Sequence, residues 1–378
     1  MDVPDPQYRE NSKRAVFLFG EINQFLVEKL TPEILRLRQE SHDPITVYID
    51  SLGGGVAVAE TLRNLITCPD QDGRQRRLIT VVTGTAASAA ADFLALGDYS
   101  IAYPHSRIIY HGTRRSASSI TVEKASSLAQ QLQNDNEWFA LRLAKKAFGR
   151  FIPRMFWSLG ESLQKYINDA GVPDIGVIIN DLKKRVTQTH LIETAWERQQ
   201  SIHNLSEGVL TRFRSGKRTK KLSELDFEMK FFKAILKKNE KDFSKNKILL
   251  SEGGMSKISA DFQLLLDFYF GDYSKSVKLW TSIYGQFFLS KEETNYYNKL
   301  LEDDAKKTWV LKNSQKKIGA LWYFMVSICR ILQTDDFDLS PRDAYWLGLV
   351  NEVSGNLELP NERLMFADVA QSKEEVSS

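Results

Sequence analysis

A serine set among very small residues, with a histidine a short distance after it, is the feature of this chain best suited to covalent chemistry. Ser88 lies in Gly84-Thr-Ala-Ala-Ser88-Ala, where we expect a strand to pass into a helix. His111 ends the strand-like run Arg107-Ile-Ile-Tyr110. A serine hydroxyl is a weak nucleophile until a base takes its proton, and imidazole is the usual base. The pair therefore predicts a serine hydrolase.

A glycine-rich turn, Ser51-Leu-Gly-Gly-Gly55, precedes both residues. Such a turn exposes backbone N–H groups that can stabilise the oxyanion formed during acyl transfer. Each feature alone also has a plainer interpretation. The glycines could form a tight turn or a phosphate loop that lacks its usual Lys-Ser/Thr ending, Ser88 could permit close helix packing, and His111 could be a core histidine. The occurrence of all three in this order favours hydrolysis.

The elements that must position these residues alternate between strands and helices. Short β-branched runs predict strands, and apolar residues spaced by three or four predict helices. The alternation predicts an α/β fold with a mainly parallel sheet, in which chemistry gathers at the carboxyl ends of the strands. The expected strands are 15–19, 45–49, 78–82, 99–102 and 107–110, and the expected helices are 24–39, 56–67 and a short one from Ser88 to about Gly97.

A long helix is predicted over 121–147, and the alternation stops after it. Residues 151–333 carry 30 Lys and Arg against 21 Asp and Glu, a net charge of +9, whereas the rest of the chain carries −6. This contrast predicts a basic, mainly helical insertion at 151–333. It would separate two parts of the α/β core, at 1–150 and 334–368, and a polar tail would follow at 369–378.

The composition is that of a globular protein, with 42% apolar and 26% charged residues. Cys68 and Cys329 have no metal-ligand spacing, no secretory signal is visible, and no apolar run could span a bilayer, so we expect free thiols, a cytoplasmic location and no membrane. His190 and Glu193 lack completing ligands, so no metal or other cofactor is expected. The basic run 212–221 is interpreted as a solvated loop, with nucleic-acid binding as the less favoured alternative.

Taken together, the motifs resemble the Clp protease proteolytic subunit, a self-compartmentalising serine peptidase of the ClpP/crotonase superfold. The resemblance covers roughly residues 14–147 and 334–354. It is carried by Tyr48-Ile-Asp-Ser-Leu-Gly-Gly54, Gly84-Thr-Ala-Ala-Ser88-Ala, Pro104-His-Ser-Arg-Ile-Ile-Tyr-His111, Leu339-Ser-Pro-Arg-Asp-Ala344 and Gly348-Leu-Val-Asn-Glu-Val353.

The resemblance implies a role for each matching residue. Ser88 would be the nucleophile and His111 the general base, and the backbone N–H groups of Gly54 and Ala89 would form the oxyanion hole. The third member of the triad would be Asp336, with Asp335 as the residue that a one-position slip would substitute.

The chain departs from the family pattern at three places. Leu52 replaces a proline, Gly-Thr-Arg-Arg115 replaces the usual Gln-Pro after His111, and the insertion interrupts the helical region through which two heptameric rings stack. We therefore expect a homo-oligomer that differs from two stacked heptamers. Peptides or proteins are the expected substrates, and any ATPase unfoldase must be a separate chain because no Walker motif is present.

Two other functions stay open. The chain could be a catalytically inactive structural or regulatory Clp-like subunit, in which Asp336 does not reach His111. It could also be a crotonase-type enzyme acting on acyl thioesters, a chemistry for which the Ser–His pair is superfluous.

Overall fold

The computed structural model describes residues 9–70, 73, 76–114, 121–159, 175–198, 321, 324–356 and 358–359. The predicted tail at 369–378, the basic run 212–221 and most of the predicted insertion lie outside these residues.

A seven-stranded sheet forms the centre of the described structure. Five strands run parallel in the order β1-β2-β3-β4-β7, and β3 also pairs with β5 near its carboxyl end. A short strand, β6, pairs antiparallel with β5. The predicted α/β class is confirmed. The strands are β1 (Ala15–Ile22), β2 (Ile45–Gly54), β3 (Leu78–Ala87), β4 (Tyr99–Ala102), β5 (Arg107–Tyr110), β6 (Phe337–Leu339) and β7 (Glu352–Val353).

The helices follow the predicted pattern over the first half of the chain. Apolar residues at helical spacing form the buried face of the first helix, whose amino terminus is capped by the Asn23 side chain accepting from the Leu26 N–H at 3.1 Å. The helices are α1 (Gln24–Glu40), α2 (Val56–Thr67), α3 (Ala89–Ala95), α4 (Val122–Leu159), α5 (Ile175–Arg185), α6 (residues 189–198), α7 (residues 324–332) and α8 (Pro341–Trp346). A 3₁₀ turn, Ser12–Arg14, precedes β1.

Helix α4 continues beyond the end expected at residue 147, to Leu159. Its buried stripe, which includes Ala147, Phe148, Phe151 and Met155, keeps helical spacing across the point where the insertion was predicted to begin. The alternation of strands and helices ends at this point of the chain, whereas helix α4 continues through it.

The described parts of the predicted insertion pack into the same hydrophobic core as the sheet. Buried residues of α5, α6 and α7 belong to one cluster with the helix-covered face of the sheet, among them Ile178, Leu182, Leu191, Phe324 and Leu332. Polar contacts tie the same helices to the core. The extent of a separate module within 151–333 stays a prediction, but its described ends are anchored in the core.

One of these polar contacts is partly buried. The Thr187 N–H, between α5 and α6, donates to the Asp343 carboxylate on α8 at 2.6 Å, and the Thr187 hydroxyl donates to the other carboxylate oxygen. A second contact joins Arg330 of α7 to Glu137 of α4 through paired hydrogen bonds. Both join parts of the chain that are far apart in sequence.

Candidate active site

Ser88 occupies the sharp turn between β3 and α3. Its backbone has φ 55° and ψ −126°, and it is the one non-glycine residue with positive φ in the described part of the chain. That conformation is unfavourable for an L residue and persists only where the surroundings fix it. Here the Ser88 N–H donates to the Ile109 carbonyl oxygen on β5 at 2.8 Å, and the Ser88 carbonyl accepts from the Asp92 N–H at 3.2 Å. Hydrolases carry a nucleophilic serine on a strained strand-to-helix turn of this kind.

The glycine turn at the end of β2 packs directly against Ser88. Gly53 has φ 95°, and a Cβ placed on it would lie 2.6 Å from the Ala87 carbonyl oxygen and 2.8 Å from the Ser88 Cβ. Such a Cβ would also lie 3.3 Å from the Ala89 nitrogen. Only glycine fits at this position. Because Gly53 has no side chain, the turn lies directly beside the first N–H groups of α3, which have no partner within the helix.

The hydrogen bonds of this turn favour Gly54 as its oxyanion donor. The Gly53 N–H donates to the Ser51 hydroxyl at 3.0 Å, and the Gly55 N–H donates to the Ile22 carbonyl at 2.8 Å. With both neighbouring N–H groups engaged, Gly54 remains as the candidate donor, together with Ala89.

The pairing of β5 with β6 brings the predicted acid towards the predicted base. Its antiparallel register pairs Ile109 with Asp338 and Tyr110 with Phe337. His111 directly follows the last paired residue of β5, and Asp336 directly precedes the first paired residue of β6, so both lie at the same end of this strand pair. The sequence analysis did not predict this strand, because three residues are too few to show an alternating pattern.

The side chains of the triad are not joined by hydrogen bonds in the described structure. The His111 Nδ1 lies 2.8 Å from the Gly112 carbonyl oxygen. The Asp336 carboxylate, which is exposed, accepts from Arg114 Nη2 at 2.8 Å. Because a carbonyl oxygen can only accept, His111 Nδ1 must carry the proton in this contact. The tautomer with its proton on Nδ1 leaves the lone pair on Nε2, which is the arrangement that a general base needs.

A carboxyl group that the sequence analysis missed lies one helical turn after Ser88. Asp92, half-buried on α3, accepts a hydrogen bond from Gln333 Nε2 at 2.9 Å. Burial raises the pKa of Asp92 to about 7, against the lowering effects of Gln333 and of Arg142. The signal in the sequence was an aspartate in the otherwise apolar run Ala-Ala-Ala-Asp92-Phe-Leu.

A partly buried ion pair lies beside this carboxyl. Arg142 of α4 donates to both carboxylate oxygens of Glu60 on α2, at 2.6 and 3.0 Å. Burial alone would raise the pKa of Glu60, but the hydrogen bonds and charges of Arg142 and of Arg63 together outweigh it and lower that pKa. The Arg142 guanidinium is therefore committed to Glu60.

The remaining predictions concern a metal site, a membrane-spanning helix and the two cysteines. Glu193 forms an ion pair with Lys183 at 3.0 Å. The described residues contain no group of three or more His, Cys, Asp or Glu placed to hold a metal ion. None of the helices in this part of the chain is long and apolar enough to cross a membrane. Cys68 and Cys329 are both free thiols.

Comparison with known proteins agrees with the fold. The Clp protease family matches residues 4–140. The ATP-dependent Clp protease proteolytic subunit 2 of Gluconobacter oxydans is 28% identical over 162 residues, which cover 37% of this chain and 71% of that protein. The corresponding subunit of Chlorella vulgaris is 33% identical over 134 residues, covering 32% and 61%. Subunit 3 of Rhizobium meliloti is 28% identical over 116 residues, covering 29% and 57%.

Residues 4–140 thus resemble the Clp protease family, and the sheet agrees with the ClpP/crotonase fold that the motifs predicted. The chain is a ClpP-like protein, as the motifs predicted. The chain spans between 57% and 71% of the length of these three relatives, and for the second and third less than two thirds.

Proposed function

We propose that this protein is a serine endopeptidase that uses Ser88 as its nucleophile. The observation that carries the proposal is the positive φ of Ser88 at the β3–α3 turn, with Gly53 packed against it. The family match to known proteases supports hydrolysis as the reaction class. The strained turn supports Ser88 as the residue that performs it.

In the proposed reaction, Ser88 Oγ attacks the scissile carbonyl carbon and its proton passes to His111 Nε2. The N–H groups of Gly54 and Ala89 donate to the resulting oxyanion. His111 then gives the proton to the leaving amine, and a water molecule activated by the same imidazole hydrolyses the acyl-enzyme ester and regenerates Ser88. Asp336 stays ionised, fixes the His111 tautomer and stabilises the imidazolium. In this role it must accept from His111 instead of from Arg114.

The contacts of Asp336 and His111 also support a second candidate, a catalytically inactive Clp-like subunit. Asp336 pairs with Arg114, and His111 Nδ1 contacts the Gly112 carbonyl oxygen. A chain that kept these contacts permanently would lack an oriented base. We favour the peptidase because His111 and Asp336 directly adjoin the last paired residues of β5 and β6, Tyr110 and Phe337, and because the Arg114 contact of Asp336 is exposed.

The remaining proposals follow from the relatives. Their names describe proteolytic subunits of an ATP-dependent protease, so we infer that this chain cleaves peptides or proteins, forms a homo-oligomer and works with a separate ATPase. A cytoplasmic location agrees with its free thiols.

The decisive experiment is labelling of the full chain with a fluorophosphonate probe. We expect stoichiometric labelling of the wild type, no labelling of Ser88→Ala, and unchanged labelling of Ser41→Ala, a control serine remote from the turn. Peptide turnover should fall by roughly a millionfold in Ser88→Ala. Equal labelling of the wild type and Ser88→Ala would overturn the nucleophile assignment, and a folded wild type that does not label at all would establish the inactive subunit.

A further inference from the structure

Gln333 is a buried residue that the proposed reaction does not use. It directly follows helix α7 and is only 3% exposed. Its Nε2 donates to Asp92 Oδ1 on α3 at 2.9 Å. Most hydrogen bonds of side chains go to backbone groups or water, so a buried bond between two side chains from distant parts of the chain is notable. This one joins the end of α7 to the helix that begins directly after Ser88.

The Asp92 end of this contact is bonded to the backbone of the nucleophile. The Asp92 N–H donates to the Ser88 carbonyl oxygen at 3.2 Å, and the Ala91 N–H donates to the same oxygen at 2.9 Å. Asp92 therefore contacts Ser88 through its backbone and Gln333 through its side chain. Two consecutive hydrogen bonds thus link the Gln333 amide to the strained turn that holds Ser88.

The backbone of Gln333 packs beside the segment that carries His111. Its carbonyl oxygen lies 3.0 Å from where a Cβ on Gly112 would be, so the two backbones are in close contact. The next residue of that segment is held from α4, because the Thr113 N–H donates to Asn136 Oδ1 at 2.9 Å. The end of α7 therefore lies between the Ser88 turn and the residue after the predicted base.

Asp336 follows Gln333 by three residues, and its backbone is held on both sides. On one side, the Asp335 N–H donates to the Ile331 carbonyl oxygen of α7 at 2.9 Å. On the other side, Phe337 is the first residue of β6 and is paired with β5. A shift of the end of α7 therefore moves the backbone that carries the predicted acid. The Gln333 side chain is the buried group that ties this end of α7 to α3.

We propose that Gln333 is a positioning residue, which through its hydrogen bond to Asp92 sets the distance between the Asp336 backbone and Ser88. The inference rests on the proposed peptidase function and adds a residue that acts through Asp336 without contacting the substrate. A carboxylate orients a catalytic imidazole only within hydrogen-bond reach, and a displacement of about 1 Å is costly. Hydrogen bonds to supporting side chains keep such distances fixed. The exposed Arg114–Asp336 pair is less suited to this role, because water competes with it.

Removal of the hydrogen bond from either side tests the proposal. Gln333→Met keeps the length of the side chain and removes the donor, whereas Asp92→Ala removes the acceptor and keeps a strong helix former. We expect each variant to lower the turnover number for a fluorogenic peptide by at least about tenfold. KM should stay within about twofold of the wild type, because the effect lies in the alignment of the triad and not in substrate binding.

Two further variants serve as a conservative rescue and a matched control. Asp92→Asn keeps a carbonyl acceptor for the Gln333 amide, so its turnover number should stay within about threefold of the wild type. Gln39→Met makes the same chemical change as Gln333→Met at an exposed glutamine on α1 and should leave both kinetic constants unchanged. A turnover number as low in Asp92→Asn as in Asp92→Ala would contradict the role assigned to the hydrogen bond.

A double-mutant cycle separates positioning from a general loss of stability. If Gln333 acts through Asp336, Gln333→Met should change the rate of fluorophosphonate labelling by less than about twofold in the Asp336→Asn background. In the wild-type background it should lower that rate by at least about tenfold. An equal factor in both backgrounds would overturn the proposal. Urea unfolding of every variant establishes that it is folded under the assay conditions, and the same cycle with Asp92→Ala replaces Gln333→Met if that variant does not fold.

The outcomes also distinguish this proposal from the proposed function. If the probe labels Ser88 but Gln333→Met and Asp92→Ala turn over peptide as fast as the wild type, Gln333 has no positioning role and the peptidase stands. If the probe does not label Ser88 in the wild type, the peptidase assignment is wrong and the role of Gln333 is wrong with it.

Discussion

At the scale of single residues, the Asp336 carboxylate has two candidate partners. Its observed partner is Arg114, in a pair that is largely exposed on both sides. Exposed ion pairs contribute little, about 0 to 1 kcal/mol, because water screens them. A bond to the His111 imidazolium formed during catalysis is stronger, since both groups are then charged and substrate excludes water. The Arg114 contact is thus a weak competitor for the carboxylate.

Removal of the charge at Asp336 tests which aspartate completes the triad. Asp336→Asn should lower the peptide turnover number by roughly ten-thousandfold, as expected when the residue that orients a catalytic histidine loses its charge. Asp335→Asn, the matched change next to it, should have little effect because Asp335 lies one residue further than Asp336 from the last strand pair, Tyr110–Phe337. Steady-state kinetics on one fluorogenic peptide measures both. The reverse order would identify Asp335 as the acid, and two inert variants would indicate a Ser–His dyad.

At the scale of elements, the site depends on the contact between the β2 glycine turn and the β3–α3 turn. Gly53→Ala would force a Cβ to within 2.8 Å of the Ser88 Cβ and would also strain a backbone with φ 95°. We expect it to lower the unfolding free energy by about 1–3 kcal/mol. The rate of fluorophosphonate labelling should fall by at least about a hundredfold, because small displacements of a nucleophile have effects of this size.

A matched glycine separates backbone strain from crowding. Gly20 has φ 81°, but a Cβ there would meet nothing within 4 Å. Gly20→Ala should therefore destabilise the protein by strain alone and keep the labelling rate. Equal loss of labelling in both variants, measured by gel fluorescence, would refute the role that we assign to the Gly53 contact.

Helix α3 also gives the protein a pH-dependent stability. The folded protein keeps the Asp92 proton up to about pH 7, whereas the unfolded chain releases it near its ordinary pKa of 3.8. The unfolding free energy of the wild type should therefore fall as the pH rises from about 4 to about 7. Asp92→Asn removes this loss, and should be more stable than the wild type by up to roughly 4 kcal/mol at pH 8.

The difference between the two proteins should vanish below about pH 4, where Asp92 is neutral in both the folded and the unfolded state. Urea unfolding at pH 4, 6 and 8 measures it, with Asp43→Asn as the control at an exposed carboxyl. A stability difference that does not change with pH would show that the Asp92 pKa is ordinary.

At the scale of the whole molecule, both ends of the long segment between α4 and β6 belong to the α/β core. The described helices α5, α6 and α7 contribute buried residues to the same cluster as the sheet. The Thr187–Asp343 and Arg330–Glu137 contacts fix these ends to α8 and α4. A module that controls assembly or access is therefore expected between these anchors.

Two deletions test this division. Replacement of 199–320 by a short Gly-Ser linker should retain Ser88 labelling and change the oligomer mass, whereas deletion of 151–333 should abolish folding because it removes buried residues such as Phe151, Ile178 and Phe324. Native mass spectrometry of the full chain and of the shorter deletion measures the assembly. If the full chain is a plain tetradecamer, the insertion does not obstruct ring stacking; if deletion of 151–333 leaves a folded, labelled protein, its ends are dispensable.

Local patterns in the sequence were sufficient to predict much of the fold of this protein and part of its candidate site. The alternation of strand and helix signals, the glycine turn and the small residues around Ser88 predicted the α/β class, the bounds of α2 and the strand-to-helix turn at Ser88. The motifs also predicted the resemblance that the family match confirms. These features depend on propensities and spacings among near neighbours, which a sequence displays directly.

Other features arise only when distant segments meet. The pairing of β6 with β5 joins residues more than two hundred positions apart, and the three residues of β6 have no recognisable pattern of their own. In the sequence, Asp92 looks like an ordinary polar residue. In the structure, α2, α4, β5 and α7 surround it and desolvate its carboxyl group. The ends of the predicted insertion differ from the rest of the chain in charge and in secondary-structure pattern. Their buried apolar residues nevertheless belong to the same hydrophobic cluster as the sheet. Desolvation and long-range pairing depend on which surfaces come together, and only the tertiary structure decides that.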